Sequence, residues 1–157
     1  MVDIGCASRR FNGRRRSFRP ADPAVHRHLP DALLANMASV HTHRDLLAWQ
    51  EAIRLVECVY RDTSSFPNEE TFGLKTQIRR SAVSVPSNIA EGSARMTTGE
   101  LVQFLGIARG SLAELETQLE LAVRLGFLGR STDSASHVHL VGKLLNGLIK
   151  SLQRRAA

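Results

Sequence analysis

The sequence predicts an all-α fold, an antiparallel up-down-up-down four-helix bundle. Three observations lead there. Four stretches repeat apolar residues at helical spacing. The connections between them are too short for crossovers. No stretch alternates with the period of two that marks a strand. The chain has 157 residues, room for one domain. Patterning begins near residue 43, so the chain divides into an N-terminal extension, 1–42, and a bundle, 43–157.

The first helix begins at Asp45. Leu46, Trp49, Ile53, Val56 and Tyr60 recur at steps of three and four, and Ala52, Leu55 and Val59 widen that stripe. Pro67 disfavours helix at Phe66 and ends the element. The second helix resumes near Thr71, with Leu74, Ile78, Ala82, Val85 and Ile89 on one face. That frame runs through Pro86 without losing phase, which predicts one kinked helix rather than two short ones. A proline inside a helix costs about 3 kcal/mol and frees the carbonyl four residues back, that of Ala82. Ser81 or Ser84 is expected to help bridge the opened turn. Gly92 is expected at the C-cap.

The third helix has the clearest start. Thr97 stands three residues before Glu100, the spacing of a capping box. Leu101, Leu105, Ala108, Leu112, Leu115, Leu119 and Ala122 then follow a 4-3 rhythm. A second line, Phe104, Ile107, Ser111, Gln118 and Leu125, lies beside it. A stripe that wide faces more than one neighbour and leaves room for self-association. Gly126 is the expected stop. The fourth helix starts near Ser131 or Thr132 and carries Val138, Val141, Leu145, Leu148 and Leu152. Cations in its last turns suit the helix dipole.

The net charge is +6, of which residues 1–36 hold +4 through seven arginines and three aspartates. A basic tail of this kind holds phosphate by charge. It also fits disorder, or a translation start at Met37, so it carries no functional argument by itself. "SRRFNG" has the twin arginines of an export signal, but the apolar region that should follow is replaced by "RRRSFRPADP". No run approaches the roughly 20 apolar residues of a membrane span. Cys6 and Cys58 form no disulfide framework. The expected compartment is the cytoplasm.

No motif predicts an enzyme or a cofactor. His26/His28, His41/His43 and His137/His139 resemble metal ligands, but residues two apart on a helix point about 200° from each other. No metal is expected. "GLKTQ" lacks the frame of a phosphate loop. The stretch "RRSAVSVPSNIAEGSAR" is the strongest candidate. Arg80, Ser84, Ser87, Asn88 and Glu91 make a polar stripe there, and Ser111, Glu114 and Gln118 make another on the third helix. Their expected role is an interhelical polar network that fixes register, with a binding patch as the alternative. Arg79, Arg80, Arg95 and Arg109 are the candidate phosphate contacts. The interleaved aromatics of a single-strand stacking platform are missing.

The segments "DLLAWQEAIRLVECVY", "FPNEETFGLKTQIRRSAVSVPSNIAEGSAR", "FLGIARGSLAELETQLELAVRLGFL" and "VGKLLNGLIKSLQR" are similar to the four helix bundle proteins found in bacterial 23S rRNA intervening sequences. The similarity spans about residues 44–154. It implies a ring-like homopentamer. It also implies a relation to accessory proteins of diversity-generating retroelements, whose basic surface contacts nucleic acid and a reverse transcriptase. Arg79, Arg80, Ser84, Pro86, Ser87, Asn88, Glu91 and Gly92 match the family's motif, where their role looks structural. The family has no assigned catalytic residues. The expectation is therefore a non-enzymatic homo-oligomer that contacts RNA or DNA, or a protein that handles them, through arginines. The alternative is a protein-interaction module without nucleic-acid affinity.

Overall fold

A computed structural model describes residues 42–156. The 1–41 part of the extension, with Cys6, His26, His28 and His41, lies outside them. The described residues form four α-helices and no strand: α1 (Leu47–Asp62), α2 (Leu74–Ser93), α3 (Thr98–Arg124) and α4 (Asp133–Ala156). α1 packs on α2, α2 on α3, α3 on α4, and α4 returns to α1, with α2 on α3 the most extensive pairing. Leu55, Val59, Ile78, Val85, Ile89, Leu105, Leu115, Val141 and Leu145 are fully buried between them. Truncating one of these leucines to alanine costs about 2–5 kcal/mol in such a core.

Short polar devices start the helices. Thr42 caps a 3-10 turn, His43–Asp45, that precedes α1. Its hydroxyl accepts from Arg44 N at 3.2 Å, and its own N–H donates to Asp45 Oδ2 at 3.0 Å. A second 3-10 turn, Asn68–Thr71, follows Pro67. There the Glu70 carboxylate accepts from Leu74 N at 2.8 Å, which satisfies a donor in the first turn of α2.

Thr97 caps α3 as expected, accepting from Glu100 N at 3.2 Å. The Glu100 carboxylate accepts from the Thr97 hydroxyl at 2.7 Å. The helix ends in a Schellman turn. Gly126 adopts φ 79°, Phe127 N donates to Ala122 O at 2.9 Å, and Gly126 N donates to Val123 O at 3.1 Å. Gly126 thus takes a backbone conformation that a side chain would strain.

Three details depart from expectation. The buried line of α1 is Ala48, Ala52, Leu55 and Val59, whereas Trp49, Ile53 and Val56 flank it and Tyr60 is 46% exposed. Small residues take the centre of the face, and the bulky aromatics lie at its rim. Glu51 shares the buried side of α1 and pairs with Arg54. Gly92 is not a cap but the penultimate residue of α2, buried where α3 crosses; a Cβ there would lie 2.7 Å from Phe104 Cβ. Finally, α2 is continuous through Pro86, but neither Ser81 nor Ser84 turns to the Ala82 carbonyl. Ser81 donates to Gln77 O at 3.0 Å, and Ser84 turns toward α3.

Candidate functional site

The polar stripes of α2 and α3 meet at one point. Ser84 Oγ and Ser111 Oγ lie 2.9 Å apart across the helix pair. Asn88 Nδ2 donates to Ser84 O at 2.8 Å and to Ser84 Oγ at 3.0 Å, so the amide orients the serine that reaches α3. These bonds also saturate backbone beside Pro86. Ser87 Oγ donates to Val83 O at 2.8 Å, so the two carbonyls that follow the freed Ala82 carbonyl accept from side chains.

The remaining members fall into separate local pairs. Gln118 Nε2 donates to Glu114 Oε1 at 2.9 Å within α3. Glu91 pairs with Arg95 within α2. Neither Asn88 nor Arg80 bonds Glu114 or Gln118. Gln118 is only 6% exposed, and its Oε1 has no partner among the described residues. An acceptor left in that state costs about 1–3 kcal/mol.

The four candidate arginines differ in availability. Arg79 is committed inside the fold: its Nε donates to Thr63 Oγ1 at 2.9 Å, its Nη2 donates to Tyr60 O at 3.4 Å, and its guanidinium lies 4.5 Å from the centroid of the Tyr60 ring. Arg95 pairs with Glu91 and lies 4.7 Å over Phe104. Arg80 and Arg109 are exposed and make no ion pair among the described residues. The four do not form one cluster. Arg79 and Arg80 sit in the first half of α2, Arg95 just beyond its end, and Arg109 in α3.

One constellation was missed in the sequence. Cys58 is buried at the α1–α4 contact, where Arg61 Nη2 donates to its Sγ at 3.2 Å and to Asp133 Oδ2 at 3.0 Å. His137 Nδ1 lies 3.9 Å from the sulfur and 3.0 Å from Asp133 O. Burial pushes the thiol above its ordinary pKa, with the Arg61 charge opposing that shift. A protonated, enclosed thiol is a poor nucleophile. The signal in the sequence was faint: Cys58 and His137 are 79 residues apart, and only the pairing of α1 with α4 joins them. Among the described residues no group of three His, Cys, Asp or Glu side chains is arranged to hold a metal ion. No described helix is long and apolar enough to cross a membrane.

A groove of about 560 Å³ opens between α3 and α4, with Leu119, Val123, Leu128 and Val138 among its apolar lining and Glu116, Glu120 and Arg130 among its charged residues. Asn88 and Glu114, members of the two polar stripes, do not line it.

Set against known proteins, residues 44–147 match the family model described as 23S rRNA-intervening sequence protein, which is more than half of the chain. No curated protein matches the chain.

Proposed function

The chain belongs to the 23S rRNA-intervening sequence protein family, and we propose that it is a non-enzymatic, cytoplasmic, self-associating bundle that contacts the phosphate backbone of nucleic acid. The observation that carries this reading is the availability of Arg80 and Arg109. Both are exposed without a carboxylate partner among the described residues, while Arg79 and Arg95 are held by the fold. Unpaired arginines on a rigid helix bind phosphate without reading base sequence. The engagement of the Ser84, Ser87 and Ser111 hydroxyls with each other or with backbone favours a structural rather than a catalytic use of the polar stripe.

The proposed arrangement is antiparallel and up-down-up-down. Three registers support it. Ser84 meets Ser111 and Gly92 meets Phe104, so numbers rise on α2 as they fall on α3. Arg61 meets Asp133 and Cys58 meets His137, the same sense for α1 and α4. Arg79 meets Thr63 and Tyr60 at the α1–α2 turn.

Self-association, as the homopentamer that the family resemblance implies, is supported by the second line of α3. Ile107 and Leu125 of that line, with Leu121 beside them, are 46%, 60% and 46% exposed. Apolar side chains at heptad-like spacing on an outward face suit another helix.

The test is binding of the full chain to short RNA and DNA across a salt series, with the solution mass measured alongside. Affinity that falls steeply with salt supports phosphate contact. No binding at low salt sinks it and leaves the protein-interaction module. A monomeric mass sinks the oligomer.

A further inference from the structure

The facing helices α3 and α4 carry a strip of positive charge with no carboxylate of their own within it. α3 has no carboxylate between Glu100 and Glu114, and α4 has none after Asp133. Within those limits stand Arg109 on α3 and Lys143, Lys150 and Arg154 on α4. All four are exposed, and none makes an ion pair or hydrogen bond among the described residues.

The helices place these cations together. Lys143, Lys150 and Arg154 are separated by seven and four residues, which keeps them on one stripe of α4. The buried side of the same helix is set by Val141, Leu145, Leu148 and Leu152, so the stripe points away from the core. A Cβ on Gly142 would lie 3.5 Å from Leu112 Cδ2, which fixes the level at which α3 and α4 pass. Arg109, three residues before Leu112, falls on the turn of α3 that runs past the stretch between Lys143 and Lys150. Glu116 and Glu120 share Arg109's face of α3 but lie seven and eleven residues further on, beside the groove, about 10 Å or more along the helix, so they bound the strip at one end.

From Lys143 to Arg154 the rise along the helix is about 16 Å at 1.5 Å per residue. That length passes roughly five base steps of one strand at 3.4 Å each. α4 contains no Phe, Trp or Tyr, and the one ring on the stripe, His139, stands a turn before Lys143, so an unpaired base has no ring to stack on between Lys143 and Arg154. We infer that Arg109, Lys143, Lys150 and Arg154 form a track for the phosphate backbone of duplex nucleic acid. The inference rests on the nucleic-acid reading above and names the surface and the ligand form. Cations close together with no carboxylate between them raise the local potential, which scattered, ion-paired arginines do not.

The test compares the full chain with its Lys143→Gln/Lys150→Gln and Lys143→Arg/Lys150→Arg variants. Fluorescence anisotropy is read on a short RNA duplex, a DNA duplex and the matching single strands across a salt series. The glutamine variant is expected to bind duplex more weakly at every salt concentration. Its log–log salt slope should be shallower by about two, roughly one per lost phosphate contact. The arginine variant should keep the wild-type slope, which separates loss of charge from loss of fold. If wild type binds and the glutamine variant binds identically, this track is overturned while the nucleic-acid reading stands. Tighter binding to single strands than to duplex overturns the duplex assignment. No wild-type binding at low salt removes both.

Discussion

Arg79 donates from Nε to Thr63 Oγ1 at 2.9 Å, and that bond ties the C-cap of α1 to the second turn of α2. Thr63 is itself fully buried and donates to Val59 O at 2.8 Å. Removing the guanidinium leaves the Thr63 hydroxyl without a donor and uncovers the Tyr60 ring. Arg79→Ala is expected to cost about 2 kcal/mol, the range of a charged hydrogen bond plus a cation–π contact. Arg80→Ala, one residue on and without a partner among the described residues, is expected to change stability by less than about 0.5 kcal/mol. Urea unfolding of the pair checks both, and equal losses would refute the distinction drawn between these neighbours.

Glycines on α2 and α3 predict opposite outcomes. Gly92→Ala pushes a methyl group against Phe104 Cβ and Leu101, and overpacking of that kind costs about 1–3 kcal/mol. Gly106→Ala and Gly110→Ala meet nothing within 4 Å and gain helix propensity, up to about 1 kcal/mol each. Melting temperatures should therefore fall for the first substitution and rise for the other two. A rise for all three would mean that the α2–α3 crossing is looser than described.

Gln118 offers a third test. Its Nε2 is bonded to Glu114, but its buried Oε1 accepts no hydrogen bond among the described residues. Gln118→Met keeps the volume and removes the orphan acceptor. We expect it to match wild type or exceed it by about 1 kcal/mol in chemical denaturation. A loss of 2 kcal/mol or more would show that the oxygen has a partner in solution.

The Cys58 thiol predicts an alkaline effect. Burial raises its pKa, so the folded state holds the proton over a range in which the unfolded chain has released it. Stability is then full below about pH 9, the ordinary thiol value, and falls as pH rises toward the folded pKa. Cys58→Ala should flatten that decline when stability is measured from pH 8 upward. A wild type and variant that decline in parallel would place the thiol in water.

Helix identity was legible because period and caps are local. Thr97 and Glu100 are three residues apart, and the α3 line from Leu105 to Ala122 is buried throughout, as its rhythm implies. The centre of α1 was displaced because Trp49 and Tyr60 outweigh Ala48 and Ala52 in bulk. Bulk alone does not say which side of a stripe lets two helices approach. The polar contacts were less legible. Arg79 to Thr63 and Ser84 to Ser111 cross between helices, and their registers depend on how each pair slides. Gly92 was misread for the same reason: a glycine near a helix end serves a cap or a crossing, and only the neighbouring helix decides.

The unequal packing of the helices has a kinetic consequence. α2 and α3 share the broadest contact and are joined by the short turn Ala94–Thr97, so their pairing closes a small loop at little entropic cost. α1 and α4 lie at opposite ends of the described chain and meet only after everything between them is in place. The α2–α3 pair is therefore expected to form early, and the seam around Cys58, Arg61 and Asp133, which joins the two ends of the described chain, to close after it. Amide hydrogens of α2 and α3 should then gain protection before those of α1 and α4 in pulsed deuterium exchange during refolding, and the enclosed thiol becomes a reporter of the closing of that seam.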